Sequence, residues 1–94
     1  MMMTKICNRL ALLITLTFIF SSVVAQDPKA LEHFKAGDVF YRNADHEQAI
    51  TEFNKAIEID AGYVNAYLQR GFCRNILKDF TGAIEDFSKV ISME

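Results

Sequence analysis

Apolar residues recur along the chain in stripes that are typical of amphipathic helices. One stripe has the spacing i, i+1, i+4, i+7 and i+8, which lies on one face of a helix with 3.6 residues per turn. Its members are Ala49, Ile50, Phe53, Ala56 and Ile57. The same spacing returns in Ala83, Ile84, Phe87, Val90 and Ile91. Together with the segments that precede each stripe, the pattern predicts helices over 28–43, 46–59, 63–77 and 80–92.

The two stripes belong to an internal repeat with a period of 34 residues. Seven identities share this offset: Gly37/Gly71, Asp45/Asp79, Ala49/Ala83, Ile50/Ile84, Phe53/Phe87, Lys55/Lys89 and Ile57/Ile91. A period of this length predicts stacked supersecondary units rather than one irregular domain. Each unit therefore contains two helices joined by a short turn.

Local signals agree with these helix boundaries. Asp27 is placed to cap the first helix, with Pro28 in its first turn, and Asp45 and Asp79 precede the second helix of each unit. The glycine shared by the first helices of both units costs about 1 kcal/mol inside a helix, which indicates close approach of a neighbouring helix. Lys78 stands in a turn that would strain it if the turn needs a left-handed residue.

These residues resemble the tetratricopeptide repeat (TPR) family. The signature positions of the first unit are Gly37, Phe40, Ala49, Phe53 and Ala56, and those of the second are Tyr67, Gly71, Ala83, Phe87 and Val90. The resemblance implies an all-α fold, with two helix-turn-helix units forming a short right-handed superhelix. We expect repeat 1 to cover 30–63 and repeat 2 to cover 64–94 and to end without a capping helix. His33, Arg74 and Ala61 depart from the family pattern.

In this family, the first helix of each unit lines a concave face that binds a segment of a partner protein. The matching positions, here called the groove set, are Phe34, Asp38, Tyr41, Arg42, Asn65, Leu68, Gln69 and Phe72, with Leu31 and Ile76 beside them. Two alternatives stay open: the apolar members are core residues instead, and the Asp38 and Arg42 side chains form only an exposed ion pair. A clamp for a C-terminal carboxylate is not expected, because Phe34 and Asp38 replace its lysine and asparagine.

The N-terminal segment has the pattern of a secretory signal peptide. Lys5 and Arg9 flank the uncharged run from Leu10 to Phe20, and small residues follow up to Ala25. We expect cleavage after Ala25, which removes 1–25, leaves 26–29 as a short leader and places the protein outside the cytoplasm, in the periplasm or secreted. A transmembrane anchor is the competing interpretation, but the uncharged stretch from Leu10 to Ala25 has 16 residues, against the roughly 20 that a span needs. No membrane span is expected after cleavage.

Charge and candidate reactive residues exclude some classes of function. The 12 acidic and 10 basic residues give a net charge of -2 without a long basic run, so nucleic acid is not an expected partner. His33 and His46 lie on different predicted helices and have no further ligand, and Cys73 is expected to pack rather than react. Glu85 and Asp86 point about 100 degrees apart and are interpreted as solvated surface. No catalytic constellation is present, so neither an enzyme nor a cofactor is expected.

Two functions remain. The first is an exported protein–protein interaction module that binds a peptide segment of a partner. The alternative is a structural or self-assembling module, or the N-terminal piece of a longer TPR protein. Two repeats are fewer than the three or so that usually give a stable solenoid. We therefore expect marginal stability or a homo-oligomer formed through the last helix, whose apolar stripe has only one predicted neighbour.

Overall fold

The computed structural model describes residues 27–94, which form four α-helices and, within this range, no strand. The helices are α1 (Pro28–Arg42), α2 (His46–Ile59), α3 (Val64–Ile76) and α4 (Phe80–Ser92). The predicted all-α fold is confirmed, and the predicted helix ends differ from the observed ones by one residue at most. The expected signal peptide and its cleavage site lie outside the described residues.

Three helices begin at the aspartates that the sequence assigned as caps. The Asp27 carboxylate accepts the Lys29 backbone N–H at 2.8 Å, and Asp45 and Asp79 cap α2 and α4 in the same way. Each side chain satisfies one of the backbone donors that a helix start leaves unpaired. Tyr63, which precedes α3, makes no side-chain cap.

The turn inside each unit contains one left-handed residue. Ala44 between α1 and α2 has φ of 61°, and Lys78 between α3 and α4 has φ of 67°. A side chain in this conformation brings its Cβ close to the backbone, which favours glycine there. The strain expected at Lys78 is therefore present, and Ala44 carries the same strain.

The helices pack in sequence: α1 on α2, α2 on α3 and α3 on α4, with a smaller contact between α1 and α3. One core cluster is formed by Ala30, Ala56, Tyr63 and Ala66, and the other by Ala49, Phe53 and Cys73. The Phe34 ring packs against both clusters. The core therefore lies mainly in unit 1 and beneath α3, which covers it.

The glycine in each first helix lies directly beneath an aromatic ring of the second helix. A Cβ atom on Gly37 would lie 2.5 Å from Phe53 Cε1, and one on Gly71 would lie 2.6 Å from Phe87 Cε1. Real side chains do not approach so closely, so only glycine lets the helices meet at this distance. The packing role predicted for the shared glycine is confirmed.

Candidate partner-binding surface

The groove-set residues of α1 contribute strongly to packing. The half-buried Phe34 ring stacks on Tyr63 at 5.0 Å between centroids and contacts Phe53 at 5.7 Å. Tyr41 packs on the cluster around Phe53 and meets the His46 ring edge-on at 5.6 Å. These two rings are thus part of the core, with only a fraction of their surface left for a partner.

Asp38 and Arg42 form an ion pair one helical turn apart. Arg42 Nη2 lies 2.9 Å from Asp38 Oδ2, and the Arg42 side chain is 76% exposed. Pairs with this exposure contribute at most about 1 kcal/mol, because water screens them and the side chains lose freedom. The pair leaves Arg42 accessible at the C-terminal end of α1.

The groove-set residues of α3 are more accessible. Asn65 is exposed, Leu68 and Gln69 are half-buried, and Phe72 is 44% exposed. The amide oxygen of Gln69 is buried without a hydrogen-bond partner, although such atoms are usually paired. With Ile76, which is 50% exposed, these residues give α3 an open face that is apolar and has polar groups beside it.

A second apolar surface lies on α4. We define the α4 face as Phe80, Ile84, Phe87 and Ile91. Ile84 is 64% exposed and Ile91 is 70% exposed, whereas the equivalent residues of unit 1, Ile50 and Ile57, pack beneath α3. The described residues therefore leave open in unit 2 a face that unit 1 covers with a helix.

The interpretation of Asp86 as solvated surface is wrong. Its side chain is 2% exposed and lies between α3 and α4. Arg70 donates to both carboxylate oxygens, through Nη2 at 2.7 Å and Nε at 3.0 Å, and Arg74 is a second partner that donates to Oδ2 through Nη1 at 3.0 Å. A buried carboxylate is tolerated only with such partners, so α3 supplies two cations for it. The neighbouring Glu85 is exposed, as expected.

Arg70 extends this polar network to a third helix. Its Nη1 donates to Asn54 Oδ1 of α2 at 2.8 Å, and its guanidinium lies 5.4 Å from the centre of the Tyr67 ring. One side chain therefore connects α2, α3 and α4 and joins unit 1 to unit 2. Sequence reasoning missed this network, although Arg70 and Arg74 at i and i+4 share a helix face and an acid occurs at the Asp86 position of both units.

The equivalent acid of unit 1 is Glu52, which pairs with a histidine. His33 Nδ1 donates to Glu52 Oε2 at 2.8 Å, and Lys55 Nζ lies 3.2 Å from Oε1. The hydrogen bond from His33, followed by the bond and charge of Lys55, lowers the pKa of Glu52 below 4.5, against the opposing effect of burial. The departure of His33 from the family pattern thus has a polar partner in the adjacent helix.

Cys73 is fully buried, and burial raises the pKa of its thiol to about 11. A thiol that stays protonated is a poor nucleophile and metal ligand, so Cys73 packs as expected. Within residues 27–94, no cluster of three or more His, Cys, Asp or Glu residues is arranged to hold a metal ion. In the same range, no helix combines the length and hydropathy of a membrane span.

Comparison with known proteins identifies this architecture. The family model of the TPR repeat matches residues 37–73. Over 55 residues the chain is 38% identical to RNA polymerase II-associated protein 3 of Xenopus tropicalis, and over 66 residues it is 32% identical to FK506-binding protein 59 of Drosophila melanogaster. The chain belongs to the tetratricopeptide repeat family.

These alignments cover 58% and 70% of this TPR chain but only 8% and 15% of the two relatives. What is similar is therefore the repeat and not the whole of either protein. TPR repeats are non-catalytic units that mediate contacts between proteins. Protein–protein interaction is the function that the family membership supports.

Proposed function

We propose that this TPR protein is an exported interaction module that holds a partner peptide on the first helices of its units. The observation that carries the proposal is the open face of α3, where Phe72 and Ile76 are 44% and 50% exposed beside the exposed Asn65. A partly exposed aromatic residue flanked by polar groups is typical of binding hot spots. The proposal assigns no enzymatic activity to the chain.

The surface favours a partner segment with apolar anchors. Leu68 and Phe72 offer apolar contact, and Asn65 and Gln69 offer hydrogen bonds that fix the orientation of the segment. The two units of the described residues give a short surface, so we expect them to bind with micromolar or weaker affinity, about -8 kcal/mol or less favourable.

The binding proposal is tested with a library of random peptides displayed on phage. Peptides selected on the protein are titrated into a ¹⁵N-labelled sample, and amide shifts are mapped by NMR. The proposal expects the largest changes near Asn65, Leu68 and Phe72, with small changes at Thr81 and Ser88 on α4. Changes confined to α4 would contradict the groove assignment.

Export is the second part of the proposal and rests on the N-terminal sequence alone. Lys5, Arg9, the apolar run after them and the small residues before Gln26 support cleavage after Ala25. Mass spectrometry of the protein from the extracytoplasmic fraction should find Gln26 as the first residue. A protein that starts elsewhere, or that stays in the membrane fraction with its leader, would contradict export.

Self-association is a second candidate function, because the α4 face favours it specifically. Ile84 and Ile91 are the most exposed of the large apolar residues described. A large contiguous apolar patch on the surface of a small protein is usually an interaction site. The candidate predicts a homo-oligomer through the last helix.

A further inference from the structure

We infer that two copies of the chain pair symmetrically through antiparallel α4 helices, an inference that rests on the self-association candidate above. The α4 face consists of residues spaced by four, three and four positions along the helix. This is the spacing of the a and d positions in a helix–helix interface, with Phe80 and Phe87 at d and Ile84 and Ile91 at a.

The spacing of these residues, four, three and four positions, is the same in both directions along the helix. An aromatic residue and an isoleucine exchange places when α4 is reversed. In an antiparallel pair, Phe80 of one copy therefore lies opposite Ile91 of the other, and Ile84 lies opposite Phe87. Each layer then combines one large ring with one branched side chain, so the face is complementary to itself, as a two-fold interface requires.

Charge does not oppose this pairing. The solvent-side flank of the α4 face is formed by Thr81 and Ser88, which are exposed and uncharged. The nearest charged residues of α4, Glu85 and Lys89, lie further round the helix, and Asp86 is held by Arg70 and Arg74 on the opposite side. No like charges meet across the interface.

The outer residues of α1 oppose a head-to-tail arrangement. Helix α3 covers α2 with Tyr63, Ala66 and Cys73. Thirty-four residues earlier, α1 has Lys29, Glu32 and Val39 at these positions. Stacking α1 of one copy on α4 of the next would bury Lys29 and Glu32 against apolar side chains, and burial of unpaired charges is costly. The open face of α4 therefore matches another α4 rather than α1.

The first test uses the protein purified in the form in which it accumulates in its own cells. Analytical ultracentrifugation measures its mass over a range of concentrations. The expected result is a monomer–dimer equilibrium that stops at the dimer. Ile84→Asp should give a monomer with unchanged helical circular dichroism, because Ile84 is exposed. The matched control Val39→Asp changes an exposed residue of α1 and should leave the dimer intact.

The second test distinguishes the orientation of the helices by disulfide cross-linking. Thr81→Cys and Ser88→Cys proteins should cross-link efficiently when mixed and poorly when alone, because antiparallel helices place position 81 beside position 88 of the partner. Efficient cross-linking of each variant alone, or loss of association in Val39→Asp, would overturn the pairing but leave self-association standing. A monomer at every concentration would overturn both, and peptide binding on α3 is measured independently of either.

Discussion

At the scale of single residues, the buried carboxylate of Asp86 holds together two arginines of unit 2. It satisfies Arg70 and Arg74 together, and these side chains are 14% and 22% exposed. Removing the carboxylate leaves Arg70 largely desolvated without a counter-charge, and it leaves Arg74 with only the more distant carboxylate of Asp79, 3.9 Å from its Nε. Breaking a buried pair from one side is costly even where the intact pair contributes little.

We therefore expect Asp86→Ala to lower the free energy of unfolding by about 3 kcal/mol or more. This is comparable with the whole stability of a core of this size. The adjacent exposed residue provides the control, since Glu85→Ala should change stability by less than about 0.5 kcal/mol. Urea denaturation followed by circular dichroism measures both. Equal effects of the two substitutions would show that the network contributes nothing to stability.

The left-handed turn residues give a prediction in the opposite direction. Lys78 has φ of 67°, and a non-glycine residue in this conformation costs about 1–2 kcal/mol. Lys78→Gly should raise the free energy of unfolding by about 0.5–1 kcal/mol after the greater chain entropy of glycine is subtracted. Ala61→Gly, at a position without a positive φ, should lower the free energy of unfolding. If Ala61→Gly raised the free energy of unfolding, the gain at Lys78 could not be assigned to its left-handed conformation.

At the scale of helices, each unit depends on close contact between its two members. Phe53 is fully buried above Gly37, whereas Phe87 is only half-buried above Gly71. The ring in unit 1 has no room to move away from an added methyl group, and the ring in unit 2 has an open side. The same substitution should therefore have different effects in the two units.

Gly37→Ala should lower the free energy of unfolding by up to about 2 kcal/mol, because overpacking costs about 1–3 kcal/mol and alanine returns about 1 kcal/mol in helix propensity. Gly71→Ala should cost less. Gly62→Ala, in the joint between units with its nearest contact at 3.5 Å, should be close to neutral. Thermal unfolding of the three variants measures the order of their losses in stability. A larger loss for Gly71→Ala than for Gly37→Ala would contradict the tighter packing above Gly37.

The contact between α1 and α2 should also depend on pH through Glu52. Its pKa is lowered in the folded protein, so the folded state keeps the carboxylate charged at pH values where the unfolded state already binds the proton. Stability from this group is present above pH 4.5 and is lost as the pH falls through the lowered pKa. Glu52→Gln should flatten this part of the stability profile, while Glu58→Gln, an exposed change on the same helix, should not. Parallel slopes for the two variants would contradict the assignment.

The helices, their caps and the role of the shared glycine could be predicted because each depends on residues near in sequence or on the register of the repeat. The polar network could not be predicted in the same way. Whether Asp86 is buried depends on how far Arg70 and Arg74 reach across from α3, and neither hydropathy nor spacing carries that information. The sequence could not separate core residues from surface residues within the groove set for a related reason. A single ring such as Phe34 packs in the core and also borders the surface.

At the scale of the whole molecule, the two proposed binding surfaces are different parts of unit 2. The face of α3 that includes Leu68 and Phe72 is proposed for a partner peptide, and the α4 face is proposed for a second copy. Phe72 contacts Phe87 at 5.4 Å between centroids, so the two surfaces adjoin. Pairing of two copies would place two short peptide surfaces in one particle, which increases the affinity for a partner with two binding segments.

The central claim is that Phe72 and Leu68 bind a partner rather than hold the fold together. The most direct measurement is calorimetric titration of a library-selected peptide into the Leu68→Ala and Phe72→Ala variants, with Val39→Ala as the control and circular dichroism of the same samples. We predict a loss of about 1–3 kcal/mol in binding for the first two, no loss for the control and unchanged helicity in all three. Loss of helicity together with binding at both positions would contradict the claim and assign these residues to the core.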